Sequence, residues 1–433
     1  MFNKYIENFQ ESIIGLRDFV ELINPFLSEY REKVAEEHEK DLRPIQLAHL
    51  RFLETDETKK QQYTDELKEI YDGDIDVEFI QDSYEDGAPK SNKSIRFKMN
   101  GDSLKINEAI EKLIKTSGQK ELLYKNSLIS LLSSVEWFFS QILHNHFDKF
   151  PDSAGIKKKT LTLEELKSFE SLKDAENYLI DDKIESILRG SFKDWLDVLK
   201  LELSLKLPYI SYFEDEMFEI YQRRNLLVHN GGTVNSIYLS KVSDKYKQNL
   251  NIGDSISVSE AYLERAISLL HTTFTLIACE LWKKLEPEKE NRCVVTMELS
   301  YEYLKKEKWD ISEIASLFLF GDKKMPIASR TAAQLNYWLS KKNSGKFDDV
   351  KNEVKDADFS DKAKVFQVAL HALRDEEKDF FQLLPNVLKT EELSPNEVME
   401  FPIFSNMRAK QEFQTFLGEN EIMKKFSQLT SQN

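Results

Sequence analysis

The sequence predicts a mainly α-helical protein with a small β-containing N-terminal region and a repeat-like helical C-terminal region. Three observations lead to this fold class. The 433 residues include only 13 glycines and 10 prolines, whereas Lys, Glu, Leu and Asp abound, and this composition favours helices over sheets. Apolar residues recur at helical spacing through most of the chain. The alternation typical of strands is clear in only one short region.

Residues 1–120 form the first of three predicted domains. Apolar residues between positions 13 and 27 have the spacing of a helix, and the charged segment 30–43 is typical of a long solvated helix. Apolar and polar residues then alternate over 74–80 and again over 94–100, on either side of a turn-rich stretch. This pattern predicts a β-hairpin or a small sheet.

Residues 121–287 form the second predicted domain, which begins with a long apolar helix over 128–150. Glu136 lies inside this helix, and a carboxylate among apolar residues is costly when it is buried alone. We therefore expect Glu136 either to be exposed or to pair with Arg223 or Arg224. A polar excursion over 157–189 contains two predicted helices, the first of which opens with a capping box at Thr162 and Glu165.

The next helix should end near Asn230. Gly231 and Gly232 can adopt the left-handed conformation that closes a helix, and Asn is common beside such a cap. At about 100° per residue, Asn225 and His229 lie about 40° apart on one face. Arg224 is about 140° from His229, but its long side chain can reach the same point. The three polar groups could therefore converge on one anion.

Three further features complete the pattern along the chain. Residues 234–242 are partly β-branched and suggest a short strand. Ser257 and Glu260 have the spacing of a capping box that opens a helix over 261–285. The third predicted domain, 288–433, shows short helices at 295–307, 311–319, 327–341, 348–357, 362–373, 376–388 and 394–401. The aromatic residues at 380–381 and 401–404 are expected to pack at helix ends, with a protein-binding groove as the alternative.

The residue types near the helix end suit acid–base chemistry at a phosphate. His229 lies at the carbonyl end of the helix, where the dipole favours an imidazolium that can take part in proton transfer. Arg224 is a permanent cation suited to a phosphate, and Asn225 can orient either partner by hydrogen bonds. The alternative is purely structural, with Arg224 and His229 paired to the nearby acids Glu214, Asp215 and Glu216.

The motif Arg224-Asn225-x-x-x-His229 resembles the R-N-x-x-x-H signature of the HEPN superfamily, whose members are short helical bundles found in bacterial toxins, phage-defence proteins and RNA-processing enzymes. The predicted helices 128–150 and 261–285 are similar to the family's first core helix and to the helix that follows the motif. The resemblance covers roughly residues 121–287 and implies a HEPN-like helical bundle.

The resemblance implies a metal-independent endoribonuclease, acting as a toxin or antiphage-defence effector. Arg224, Asn225 and His229 would be catalytic, with the ribose 2′-hydroxyl attacking the adjacent phosphate, and Arg223, Glu136 and Asn230 would bind RNA or support the site. Two such domains would form a homodimer around a shared cleft. The alternatives are a catalytically inactive dimerising scaffold or adaptor, and a sensor that binds RNA or a nucleotide without cleaving it. The C-terminal region would then bind a regulatory protein partner.

Composition restricts the other function classes. The net charge of −16 argues against broad, non-specific coating of nucleic acid, so any RNA contact must be local. The chain has no glycine-rich phosphate loop and no Gly-x-Ser-x-Gly motif, and the pair His144 and His146 points to opposite sides of a helix, so no cofactor or metal is expected. Two cysteines, the lack of a signal pattern and the lack of an 18-residue apolar run predict a cytoplasmic protein outside the membrane.

Overall fold

The computed structural model describes residues 2–81, 93–101 and 103–430, and over these residues the protein is mainly α-helical with a small N-terminal sheet. The elements up to the fourth helix are α1 Phe2–Glu37, α2 Glu39–Leu53, α3 Glu57–Ile70, β1 Gly73–Gln81, β2 Lys93–Gly101 and α4 Leu104–Lys149. The next are α5 Leu163–Lys167, α6 Leu172–Leu188, α7 Phe192–Asp197, α8 Glu214–Asn230, α9 Ser236–Lys241, α10 Asp244–Lys247 and α11 Glu260–Leu285.

The C-terminal helices up to Glu400 follow the predicted order, with bounds that differ from the predicted ones by about one turn at most, whereas the last three helices, after residue 404, are not among the predicted ones. They are α12 Asn291–Lys305, α13 Trp309–Gly321, α14 Ile327–Asn343, α15 Lys351–Asp356, α16 Lys364–Arg374, α17 Glu377–Lys389, α18 Pro395–Glu400, α19 Ser405–Arg408, α20 Gln411–Glu419 and α21 Glu421–Thr430. Phe404 is buried and lies 5.6 Å from Phe380 between ring centroids, so the predicted packing of these aromatic residues is confirmed.

The two strands form the predicted antiparallel hairpin, with Gly73 opposite Gly101. Ile75 is fully buried against a cluster that includes Leu47 of α2 and Leu67 of α3. The alternation of the sequence therefore places one face of β1 on helices and leaves the other polar. Most of the turn-rich stretch between the strands, residues 82–92, lies outside the described residues.

Compact packing divides the chain into two units that interleave along the sequence. One unit comprises Met1–Glu7, Phe139–Tyr212 and Ser268–Asn433, and the other comprises Asn8–Phe138 and Phe213–Ile267. The predicted domains 1–120, 121–287 and 288–433 are contiguous and have different bounds; that division stays a prediction. None of the described helices is both long and apolar enough to cross a membrane.

The predicted strand over 234–242 is wrong, because this segment contains the short helix α9. The side chain of Asn235 accepts a hydrogen bond of 2.9 Å from the backbone N–H of Tyr238 and caps that helix. Nearby, Thr233 forms an isolated antiparallel bridge with Ser255. A good N-cap at Asn235 thus outweighs the weak strand preference of the β-branched residues around it.

The sequence predicts two capping boxes in residues 121–287. One of them is confirmed, whereas the other helix is capped by a different serine. Thr162 and Glu165 form the expected capping box at the start of α5. The helix α11 begins at Glu260, but the backbone N–H of Tyr262 donates to the hydroxyl of Ser259, 3.1 Å away, and not to that of Ser257. The residue immediately before the helix has the geometry to cap it, so the capping-box prediction for Ser257 is wrong.

Candidate active site

The helix α8 ends where the sequence predicts, because two glycines in succession leave the right-handed region. Gly231 has φ 58° and Gly232 has φ 85°. The N–H of Gly231 and the N–H of Gly232 both donate to the carbonyl oxygen of Leu226. These two bonds converge on the carbonyl oxygen of Leu226 and hold the end of the motif in place.

Arg224 lies on α8 with its side chain about four-fifths buried, at 20% exposure. Its guanidinium donates to the carboxylate of Glu136 on α4. Of the two arrangements expected for Glu136, the structure therefore shows the paired one, with Arg224 as the partner. Burial lowers the pKa of Arg224, but an arginine starts so high that it stays a cation.

His229 and Asn230 lie on the exposed last turn of α8, and Asn225 is half-buried one turn earlier. The amide of Asn230 donates to the carbonyl oxygen of Thr233, 2.5 Å away, and so supports the cap. Within residues 2–81, 93–101 and 103–430, no recorded hydrogen bond joins Arg224, Asn225 and His229 to one another. His229 is therefore accessible to a ligand, while Arg224 is held in place by Glu136 of α4.

Arg223 belongs to a buried network centred on Glu219, whose exposure is 0%. The guanidinium of Arg223 donates to Glu219 over 2.7 Å and also to the carbonyl oxygen of Ser257 over 2.7 Å. It also lies over the ring of Tyr262, 4.1 Å from the centroid. This arginine is thus surrounded by protein groups, and its suggested role in binding RNA stays a prediction.

Two tyrosines donate further hydrogen bonds to Glu219. The hydroxyls of Tyr238 and Tyr262 each donate to its carboxylate over 2.7 Å. Burial and the neighbouring charge of Glu219 raise the pKa of both phenols, so both remain protonated donors at neutral pH. A buried carboxylate with one arginine and two phenol partners has its hydrogen-bonding capacity well used. The network joins α8 to α9 and α11.

Lys125 of α4 is a basic residue beside the motif that sequence reasoning missed. Its amino group lies 3.6 Å from the position that a Cβ on Gly232 would occupy, and it pairs with Glu121 over 2.7 Å. Nothing in the sequence near Lys125 marks it, because the proximity arises only when α4 packs beside the end of α8. It supplies a second cation close to the glycine turn that ends the motif helix.

Asp215 and Glu216, in the first turn of α8, pair with cations other than Arg224 and His229, which the purely structural interpretation would pair with them. Glu216 pairs with Arg265 over 2.7 Å, and Asp215 lies 3.8 Å from Lys245. The recorded partner of Arg224 is Glu136, on another helix. Glu219 was also missed, although its spacing of four residues before Arg223 is the helical spacing of an ion pair.

The two histidines of α4 that are candidate metal ligands by sequence have other neighbours. His144 lies 3.7 Å from Asp181, and His146 is buried beside Phe147. Neither belongs to a cluster of three potential ligands; the one such cluster among the described residues consists of His371, Glu376 and Asp379. Exposed groups of this composition are common without a metal, and His371 already bonds to Glu376 over 2.6 Å.

No family model, curated protein or solved structure matches this chain. The resemblance to the HEPN superfamily therefore depends on the motif and on the helices around it.

Proposed function

We propose that the protein is a metal-independent endoribonuclease of the HEPN type, acting as a toxin or antiphage-defence effector. The observation that carries the proposal is the arrangement at the end of α8. His229 is exposed at the carbonyl end of the helix, and Arg224, about 7.5 Å further back along the axis, is held by Glu136 of another helix. A fixed cation near an accessible imidazole is a suitable pair for a phosphate that is being cleaved.

The chemistry needs no group beyond the side chains and the RNA. The ribose 2′-hydroxyl loses its proton to a base and attacks the adjacent phosphorus, and the bond to the 5′-oxygen breaks as that oxygen gains a proton from an acid. His229 would serve as the base or the acid, and Arg224 would stabilise the additional negative charge on the phosphate. Asn225, on the same helical face as His229, would orient the groups by hydrogen bonds.

A homodimer follows from the same chemistry. The reaction needs both a base and an acid, and each chain offers one histidine within its motif. Two motifs facing one phosphate would supply both groups, which favours a dimer with two-fold symmetry. RNA and a second copy of the chain are thus the proposed partners, and a regulatory protein bound by the C-terminal region is a further proposal.

The charge balance around the motif favours a second candidate, a dimerising scaffold or adaptor without activity. The basic side chains near the motif face acids: Arg224 pairs with Glu136, and Lys125 pairs with Glu121. Arg223 likewise pairs with Glu219. Paired cations attract a phosphate backbone weakly. Under the enzyme proposal, an RNA phosphate must compete with at least one of these acids for its cation.

Cleavage of single-stranded RNA by purified variants distinguishes the two candidates. We expect His229→Ala and Arg224→Ala each to lower the cleavage rate at least about a hundredfold, because a positioned acid–base group and a charge stabiliser contribute on that order. The wild-type rate should persist in EDTA. Equal rates for His229→Ala and wild type, or a strict need for a divalent cation, would exclude this mechanism.

Matched controls separate chemistry from folding. His144→Ala and Arg189→Ala remove a half-exposed histidine and an exposed arginine outside the motif, and both should cleave like wild type. All four variants should keep wild-type helix content by circular dichroism. If wild type itself does not cleave RNA but forms a stable dimer, the scaffold is the correct function.

A further inference from the structure

A cavity of about 310 Å³ lies within the unit that contains the C-terminal helices. Its walls come from the segment before α8, from α11 and from α13, and they include Tyr209, Tyr212, Glu280, Lys283 and Phe318. A water molecule takes about 30 Å³ in the liquid, so the space is large enough for a small organic group. None of these residues belongs to the motif on α8.

One buried group in the walls, the hydroxyl of Tyr209, lacks a hydrogen bond within the described part of the chain, and a second group, the partly buried carboxylate of Glu280, has only a long ion pair there. The hydroxyl of Tyr209 is buried and has no hydrogen-bond partner among the described residues. The side chain of Glu280 is only 16% exposed, and the described residues donate no recorded hydrogen bond to it; its nearest recorded charge is Lys283, 3.8 Å away. The Tyr209 hydroxyl and the Glu280 carboxylate can therefore still form hydrogen bonds with a ligand in the cavity.

Lys283, a cation in the cavity wall, bears on the chemistry of a ligand that could bind there. Lys283 lies 5.5 Å from the centroid of Phe318 and beside Glu280. A simple amine would satisfy Glu280 but would leave Lys283 without an acceptor in the ligand. A ligand that uses both groups would offer hydrogen-bond donors to Glu280 and an adjacent acceptor to Lys283. Tyr212, which is 72% exposed, adds an aromatic surface at the cavity.

We propose that this cavity binds a guanine base. The Watson–Crick edge of guanine carries two N–H donors in a row, which suit the two oxygens of the Glu280 carboxylate, and beside them a carbonyl oxygen, which suits the Lys283 ammonium. The separation of 3.8 Å between these two groups matches contacts to neighbouring atoms of one ring edge. Tyr212 and Phe318 provide aromatic surface for the flat ring, as proteins do for unstacked bases.

The other bases would form fewer hydrogen bonds with Glu280 and Lys283. Adenine and cytosine each offer one amino group to the carboxylate, and uracil offers a single N–H between two acceptors. The environment of Glu280 also agrees with a donor-rich ligand. Burial raises the pKa of Glu280, although the charge of Lys283 opposes the rise, and two N–H donors would stabilise the ionised carboxylate. The inference does not depend on RNA cleavage at His229.

Calorimetric titration of the full-length protein with GMP, and in parallel with AMP, tests the inference. We expect GMP to bind at least about tenfold more tightly than AMP, because a bidentate contact to a base edge discriminates on that order. A free nucleotide and a guanine within a strand share this chemistry. A five-nucleotide single-stranded DNA with one central guanine, which has no 2′-hydroxyl to attack, distinguishes a strand-binding site from one that accepts only the nucleotide.

Substitutions in the cavity wall test whether the nucleotide binds there. Glu280→Gln replaces one acceptor with a donor and should weaken GMP binding at least about tenfold. Tyr212→Ala should weaken binding by a similar factor through the loss of stacking, whereas Tyr212→Phe keeps the ring and should bind normally. Glu290→Gln, an exposed change outside the cavity, is the matched control. Circular dichroism verifies that each variant is folded.

Three results would overturn the assignment. The first is no heat of binding with either GMP or the guanine-containing strand at millimolar concentration. The second is GMP binding that Glu280→Gln and Tyr212→Ala leave unchanged, which would place the ligand elsewhere. The third is Glu280-dependent binding of free tyrosine or leucine in place of GMP, which would mean that the cavity holds the ammonium and carboxylate of an amino acid.

Discussion

At the scale of single residues, the most constrained group near the motif is the carboxylate of Glu219. A fully buried charge is destabilising unless its partners replace the lost hydration, and here Arg223, Tyr238 and Tyr262 do so. The sequence indicates the arginine, because it follows Glu219 by four residues on one helix. It does not indicate the tyrosines, which lie 19 and 43 residues away along the chain.

His146 makes stability depend on pH. Burial, with a smaller effect from the charge of Lys284, lowers its pKa from 6.5 to about 4. The unfolded chain therefore binds more protons than the folded protein between these values, and stability is lost as the pH falls from about 6.5 towards 4. For this residue we expect a loss of roughly 1 to 2 kcal/mol between pH 7 and pH 5.

Urea unfolding of wild type and His146→Leu at the two pH values measures this contribution. The variant should lose less stability than wild type over the same range. His144→Leu is the control, since that histidine is on the same helix with a side chain 37% exposed, and it should behave like wild type. The assignment to His146 is wrong if the two variants show the same pH dependence.

At the scale of elements, local signals set where several helices begin and end. Gly231 and Gly232 end α8, Thr162 with Glu165 opens α5, and alternation defines β1 and β2, all as predicted. Capping depends on atoms within one turn, so it can be read from the sequence. Where two candidates are close together, as at Ser257 and Ser259 before α11, only the backbone geometry distinguishes them.

The start of α11 offers a direct comparison of the two serines. Ser259→Ala removes the hydroxyl that accepts from the backbone N–H of Tyr262 and should lower the free energy of unfolding by about 1 kcal/mol. Ser257→Ala keeps the backbone carbonyl that accepts from Arg223 and should change stability by only a few tenths of a kcal/mol. Chemical unfolding of both variants measures the difference. A larger loss for Ser257→Ala would mean that the helix is capped two residues earlier.

At the scale of the whole molecule, the compact units limit how the C-terminal region can be studied. Residues 139–212 and 268–433 belong to one unit, so removing residues 288–433 would expose the apolar surface that those residues cover within it. Such a truncation tests folding before it tests regulation. Substitutions on the surface of the C-terminal helices are therefore the better test of the proposed regulatory partner.

Assembly can be tested together with activity. If two motifs form the site, the molar mass from sedimentation equilibrium should be twice 50.7 kDa at concentrations where the protein cleaves RNA. On dilution, cleavage per chain should fall in parallel with the fraction of dimer. A protein that stays monomeric and keeps its full rate per chain would contradict the shared site.

The sequence by itself determined the mainly helical fold, the hairpin, the end of α8 and the composition of the motif. These features follow from periodicity, propensity and capping, which act over a few residues. Only the tertiary structure decided that Glu136 pairs with Arg224, 88 residues away, that Lys125 approaches Gly232, and that Glu280 lines a cavity with Tyr209. Such contacts depend on how distant helices pack, because many pairings of equal local quality are compatible with one sequence until the core selects among them.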